Sequence, residues 1–158
     1  MQWRVLHEQD GQRTLAIIFE TGDEVITTLQ ALAREQKLGG SQFTAIGAFE
    51  KSVIAFFDID TRQYARIPVD EQTEVLTLAG DISLEHDEPR VHAHVVLGRR
   101  DGSTRGGHLL EARVRPTLEV ILTESGARMT RRYDAQSGLS LIRFDEHANA
   151  GAASGSGS

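Results

Sequence analysis

The apolar positions of this chain follow two periods. From Asp23 to about Leu38 the residues Val25, Ile26, Leu29, Leu32 and Ala33 recur at i, i+1, i+4, i+7 and i+8, one stripe of a helix. Thr21 with Glu24 three residues on reads as a capping box, and Arg34 and Lys37 suit the negative end. Gly39-Gly40 is the expected stop. Elsewhere the pattern is that of strands. Gln2–Gln9 and Gln12–Glu20 flank Asp10-Gly11, a dipeptide suited to a type I′ turn because both central residues need φ > 0. Beyond the helix, strands are expected near Ser41–Phe49, Ser52–Asp58, Tyr64–Val69, Glu74–Leu84 and Val91–Leu97. Four more follow near Gly107–Arg115, Leu118–Thr123, Met129–Tyr133 and Leu139–Phe144. Asp101-Gly102, Ser125-Gly126 and Ser137-Gly138 mark turns among them. One early helix followed by antiparallel strands predicts an α+β domain, a mostly antiparallel sheet with one main helix packed on it. No second helical period appears, so parallel βαβ winding is not expected.

The 158 residues fit one domain, expected over residues 1–146, with 147–158 as a flexible tail. Gly151 to Ser158 contain only Gly, Ala and Ser, as in a linker or an expression scar. Hydrophobic residues at 39% and charged residues at 25% match a folded globular protein and exclude disorder and collagen. No stretch approaches the roughly 20 apolar residues of a membrane span. Trp3-Arg4 leads into a mixed segment unlike a secretory signal, so a cytoplasmic protein is the expectation. There is no cysteine, which removes disulfides, thiolate nucleophiles and Cys-type zinc sites.

The net charge of −6 is unevenly spread. Residues 1–89 carry 7 basic and 16 acidic side chains, residues 90–158 carry 10 and 7. An acidic whole argues against non-specific nucleic-acid binding, which depends on neutralising phosphates.

Candidate chemistry reduces to histidine. The Gly-x-Ser-x-Gly elbow, the phosphate-binding Gly-x-x-x-x-Gly-Lys, Gly-x-Gly-x-x-Gly and His-Glu-x-x-His are all missing. Four of the six histidines, His86, His92, His94 and His108, fall within 23 consecutive residues. In the strand Val91–Leu97 the residues Val91, Ala93, Val95 and Leu97 share one face, so His92 and His94 share the other. Two imidazoles at i, i+2 can converge on one metal ion, with a third ligand from a second strand. His108 is the third candidate, placed by alternation on the apolar face of Leu110, Ala112 and Val114. Gly106-Gly107 before it would let a backbone or ligand approach closely. The same residues are compatible with two solvated imidazoles and one hydrogen-bonded core histidine. His86, between Glu85 and Asp87, reads as a surface-turn residue.

Arg99, Arg100 and Arg105 surround the Asp101-Gly102 turn that joins the two histidine strands. Guanidinium groups there would suit a phosphate or carboxylate, or would simply be a solvated hairpin tip. Arg128, Arg131 and Arg132 flank another turn and carry the same bland alternative. Glu119 lies among Leu118, Val120, Ile121 and Leu122, where it would assist a metal site or pair with an arginine.

Taken in order, these segments resemble a known family. The run Glu74 to Ser83, Val91-His92-Ala93-His94, Gly106-Gly107-His108-Leu109-Leu110 and Thr117 to Leu122 are similar to the PPC (plant and prokaryote conserved) domain. Gly22-Asp23-Glu24 and Ala45-Ile46-Gly47-Ala48 fit as well, so that the likeness spans about residues 14–145. The resemblance implies an α+β fold assembled as a homotrimer. It also implies a metal-binding cluster at the His-x-His and Gly-Gly-His positions, here His92, His94 and His108. In plants the domain follows AT-hooks in nuclear proteins, and bacterial members are called DNA-binding by analogy. This chain departs from that pattern, having no Arg-Gly-Arg-Pro core. Three functions are therefore expected in descending order. They are a trimeric regulatory or scaffolding protein with a divalent metal such as zinc and a small ligand, a metal-dependent enzyme, and a DNA-associated or partner-binding regulator.

Overall fold

The computed structural model describes residues 1–144, so the expected tail at 147–158 lies outside the described residues. The chain order is β1 (Gln2–Gln9), β2 (Gln12–Glu20), α1 (Val25–Glu35), β3 (Gly40–Asp58), β4 (Gln63–Val69) and β5 (Thr73–Glu85). It continues with β6 (Glu88–Gly98), β7 (Thr104–Glu124), β8 (Thr130–Asp134) and β9 (Leu139–Arg143). This is the expected α+β domain with one main helix and a mostly antiparallel sheet. Among the described residues the single parallel contact joins Leu84 of β5 to Thr130 of β8.

The β1–β2 hairpin turns as expected, with Asp10 at φ 51° and Gly11 at φ 78°. His86 and Asp87 repeat this conformation without a glycine, at φ 51° and 63°, and close the β5–β6 hairpin. His86 is thus a turn residue, as its sequence context predicts.

The helix differs at both ends from the expectation. Its N-cap is Glu24, whose carboxylate accepts the Thr27 N–H at 2.7 Å, and not Thr21. The second Glu24 oxygen accepts the Ala112 N–H at 3.0 Å, tying the helix start to β7. A carboxylate can serve both donors at once because it has two acceptor oxygens. At the other end Lys37 adopts φ 55°, and the Leu38 N–H reaches the Ala33 carbonyl at 2.9 Å. That is a Schellman closure made two residues before the glycines that were expected to make it. The buried stripe is Val25, Leu29, Leu32 and Ala33, packed on β6 and β7.

Two pairs of expected strands are single strands. Ser41–Phe49 and Ser52–Asp58 form β3, and Gly107–Arg115 and Leu118–Thr123 form β7. A straight strand of 20 residues would exceed ~60 Å, too long for a domain roughly 40 Å across. Bulges bend both strands: the β3–β7 register shifts between Gly47 and Phe49, Phe49 and Lys51, and Val53 and Ile54. Gly47, at φ 152°, allows this, since a Cβ there would lie 2.3 Å from the Thr117 carbonyl oxygen. Each bent strand therefore serves two parts of the sheet. β3 pairs β5 and β7, β5 pairs β6, and β6 pairs the start of β7, so the pairing closes into a ring. Phe19, Phe49, Leu78, Leu97, Leu118 and Leu122 are among the side chains that fill it. A ring with a filled interior presents polar residues on its outside. The site lies there.

Candidate metal centre

β6 sets the first two ligands by simple alternation. Ala93, Val95 and Leu97 are buried in the core, and His92 and His94 face the other way. His108 is a correction. Alternation from Leu110, Ala112 and Val114 places it on the core face, but Leu109 is the buried residue, with Ala112 and Val114. Against β3, Glu111 pairs Val53 and Leu109 pairs Ile54, which leaves Leu110 as the extra residue of a bulge. A one-residue slip moves every following side chain to the opposite face. His108 is thereby carried to the outer face, directly across from His94 in the β6–β7 pairing.

The three rings then meet. Centroid separations are 5.1 Å for His92 to His94, 5.1 Å for His92 to His108 and 5.4 Å for His94 to His108. One ligand nitrogen from each lies within 4.8 Å of the other two. A point among them is within about an ångström of the 2.0–2.1 Å bonds that zinc makes to imidazole. Tyr64 of β4 stacks on His108 at 5.0 Å, and Phe57 on Tyr64 at 4.9 Å, closing one side.

The electrostatics suit a cation. His108 Nδ1 is buried with no hydrogen-bond partner among the described residues. An unpaired buried polar atom costs about 1–3 kcal/mol, and lone-pair donation to a metal is one way to recover it. Burial, then the nearby His92, His94 and Arg131, push the His108 ring down to about 4. Burial and then His92 lower His94. Both rings are thus neutral at pH 7, with lone pairs free for a metal.

Beneath His92 lies a carboxylate. Asp81 of β5 pairs across from it, and Asp81 Oδ2 is 3.2 Å from His92 Nδ1. Arg131 of β8 donates to both Asp81 oxygens at 2.8 and 2.9 Å, to Ser83 Oγ at 2.6 Å and to the Ser140 carbonyl at 3.0 Å. Ser83 Oγ donates to Asp81 Oδ1 at 2.9 Å. Burial would raise the Asp81 carboxyl, but the bonds from His92, Arg131 and Ser83 and the Arg131 charge hold it down to about 2. A cleft of about 410 Å³ runs past this group, bordered by Tyr64, Arg90, His92, Arg131 and Ser140.

Of the other site residues expected from the sequence, Arg99, Arg100, Arg105 and Glu119 are not brought to the histidines. Arg99 is held by Glu71 at 2.7 Å, turned toward the β4–β5 connection. It and Arg100 border a cleft of about 520 Å³ whose other walls include Glu71 and Glu74, an acidic setting for an anion site. Arg105 pairs opposite Leu97, nearer the hairpin tip than the histidines. Gly106 and Gly107 serve the backbone: a Cβ on Gly107 would lie 2.7 Å from the Ala55 carbonyl oxygen, so the glycine lets β3 approach. Glu119 pairs opposite Ile46 and Ile18, eleven residues along β7 from His108. Its neighbours across the sheet are thus β2 and the first part of β3, whereas His108 pairs His94 of β6 and Ala55 near the end of β3.

Asp81, Ser83 and Tyr64 were not among the sequence candidates, and Arg131 was weighed only in an arginine group flanking a turn, not beside the histidines. Asp81 had a visible signal, a lone acid following Leu76-Thr77-Leu78-Ala79-Gly80 within a strand. Arg131 had none, because it arrives through the lateral placement of β8 beside β5.

Comparison with known proteins agrees with this fold. A metal-containing protein of Archaeoglobus fulgidus is 28% identical with a TM-score of 0.77, covering 90% of this chain and 97% of that one. A plant- and prokaryote-conserved protein of Pyrococcus horikoshii is 27% identical with a TM-score of 0.78, covering 92% and 96%. A Bacteroides thetaiotaomicron protein named as a candidate DNA-binding protein is 26% identical with a TM-score of 0.80, covering 90% and 97%. No curated protein matches significantly. The family model of the Plants and Prokaryotes Conserved (PCC) domain matches residues 6–126, most of the chain, and the chain belongs to that family.

Proposed function

We propose that this chain is a metal-binding regulatory or scaffolding domain in which His92, His94 and His108 hold a divalent ion, zinc among the candidates. One observation carries the reading: three imidazoles meet on one sheet face, and one has a buried nitrogen without a partner among the described residues. Imidazole suits zinc, nickel, copper and iron alike, so the donors define a class of ion. Three protein ligands leave a fourth position for water or a small ligand.

The assembly belongs to the same reading. Ile46, Leu76, Val96 and Ile121, on β3, β5, β6 and β7, are exposed apolar residues of a kind that copies of the chain would cover in a homotrimer. Light scattering after size exclusion reads the state directly.

Elemental mass spectrometry of purified protein tests the metal. Near-stoichiometric metal that is lost in His92→Ala/His94→Ala supports the site. Wild-type protein that stays metal-free after reloading with zinc overturns it.

A second reading, a metal-dependent enzyme, rests on that fourth position, where bound water is acidified to a pKa of about 7 in catalytic zinc sites. Turnover by the metal-loaded protein in a hydrolase and lyase screen would favour it. Direct DNA binding draws on the Bacteroides relative's name, but the net charge of −6 opposes it. A fluorescence-anisotropy titration at low salt that shows no binding removes that reading.

A further inference from the structure

We propose that the C-terminal hairpin β8–β9 is a positioning element of the histidine site, acting through Arg131 and Asp81 on His92. The inference rests on the metal-binding reading and deepens it. The hairpin lies beyond residue 126, the last one matched by the family model. It touches the sheet through one backbone pair, Leu84 with Thr130. So slight a backbone seam leaves the docking to side chains, and Arg131 supplies the main polar one.

The argument starts from valence. A guanidinium has donors in a fixed planar fork and no acceptor. Here Nε goes to Ser83, Nη1 to the Ser140 carbonyl and Nη2 to Asp81, so each nitrogen of Arg131 is engaged. Arg131 is therefore not poised to grip an incoming anion in the adjoining cleft. What it holds is Asp81, and Ser83 holds the same carboxylate from the other side.

Asp81 in turn fixes His92. An ionised carboxylate only accepts, so the His92 nitrogen facing it at 3.2 Å must carry the proton for a bond to form. Arg131 Nη2 also lies 3.3 Å from that nitrogen, and as a donor it could bond only the opposite tautomer. The two contacts exclude one another. The charged acceptor makes the stronger bond, so Nδ1 is the protonated nitrogen and Nε2 keeps the lone pair for a metal. His92 is thus set in tautomer and in ring orientation before any ion arrives. Such a carboxylate–histidine–metal relay typically changes metal affinity 10–100-fold.

Among the described residues His94 and His108 have no equivalent. They belong to β6 and β7, which are paired directly, and their placement follows from that register. His92 is the ligand whose supporting carboxylate, Asp81 of β5, is itself held by a side chain from outside the ring of strands, Arg131 of β8. Coupling between sites is reciprocal. If the docked hairpin favours the metal, the metal favours the docked hairpin.

Zinc affinity measured by chelator competition, with hydrogen exchange of residues 130–143, tests this on the full chain. Asp81→Asn and Arg131→Ala are expected to bind zinc 10–100-fold more weakly than wild type. The double variant is expected to be no worse than the weaker single one, because both act on one relay. Arg143→Ala, which removes an exposed pair with Asp134 at 3.5 Å in the same hairpin, is expected to leave affinity unchanged. Zinc is expected to slow hairpin exchange in wild type and not in Arg131→Ala. Should Arg131→Ala undock the hairpin wholly, Asp81→Asn, nearly isosteric and outside the hairpin, still reads the relay. Wild-type affinity in both single variants, or a zinc effect on hairpin exchange that survives Arg131→Ala, overturns the proposal while leaving the metal site standing. A wild type that takes up no zinc overturns both readings.

Discussion

Strand β7 carries a buried polar group near each end, and the two are handled in opposite ways. At its C-terminal end Glu124, 8% exposed, accepts the Gly39 N–H at 3.0 Å, the Gly40 N–H at 3.3 Å and the Ser41 hydroxyl. Near its start His108 has a buried nitrogen with no partner at all. The first group is a finished internal joint, a carboxylate that satisfies the backbone where the chain passes from α1 into β3. The second belongs to a cluster whose members complement one another only around something added. Burial alone does not mark a functional group, since Glu124 is the more buried of the two. Unfilled valence in company does.

The sharpest way to break this contrast is to remove the joint. Glu124→Ala leaves three donors buried without an acceptor, and hydrogen bonds to charged groups contribute about 1.5–3 kcal/mol each. A loss of at least about 4.5 kcal/mol is expected, or a fall in Tm of at least roughly 9–18 °C for a domain of this size. Zinc affinity of the folded fraction is expected to stay as in wild type. Urea denaturation with and without zinc reads both quantities. A Glu124→Ala protein as stable as wild type would place the joint's donors in contact with water and remove the contrast.

The difference between the ends also explains what could be read from the sequence. His92 and His94 sit on a regular stretch of β6, so period-two alternation gave their common face correctly. His108 sits two residues before a bulge at Leu110, and alternation counted back through the bulge gave the wrong side. The family resemblance placed His108 with the other two where periodicity had not. The helix stripe was legible for the same reason as β6, an unbroken period. Its ends were not, because the N-cap is also a ligand for Ala112 in β7 and the stop is a lysine at positive φ. Arg131 shows the limit most clearly. It reaches Asp81 across 50 residues of chain, and no local pattern encodes that approach.

The next effect is a pH dependence confined to the metal-free protein. In the folded state His108 is held down to about 4, by burial first, whereas in the unfolded chain it titrates near ~6.5. Above that range neither state binds the proton, and stability is undiminished. As pH falls toward 4 the unfolded chain takes up a proton that the folded site refuses, so stability declines by up to ~1.4 kcal/mol per pH unit. The total is at most about 3 kcal/mol. Asp81 is shifted in the same direction, and its contribution is lost at lower pH, as the carboxylate is protonated between about 4 and about 2. Denaturant melts at half-unit steps should show the first slope in wild type and lose it in a His108 variant. An equal slope in both would assign the acid sensitivity elsewhere.

Adding the ion should then close the gap between the two ends of the strand. Zinc at 100 times its dissociation constant stabilises the folded state by about 2.7 kcal/mol, expected as a Tm rise of roughly 5–10 °C. A chelator is expected to reverse the rise, and His92→Ala/His94→Ala to show none. A rise of the same size in that double variant would mean that zinc acts somewhere other than this cluster.

The smallest effect is the most specific to the comparison. His108→Phe keeps a planar ring beside Tyr64 and removes the unpartnered nitrogen. If the valence is unfilled in the metal-free state, the substitution relieves a cost and raises stability by about 1 kcal/mol, a Tm gain of roughly 2–4 °C. The zinc-dependent rise is lost at the same time, so the variant gains stability and forfeits the ligand. Replacing Glu124 by an apolar residue offers no such exchange, because its partners are fixed backbone donors that remain behind. A His108→Phe protein less stable than the metal-free wild type would show that the His108 nitrogen already has its partner in water. The cluster would then be a joint of the same kind as Glu124, and its three histidines would need another explanation.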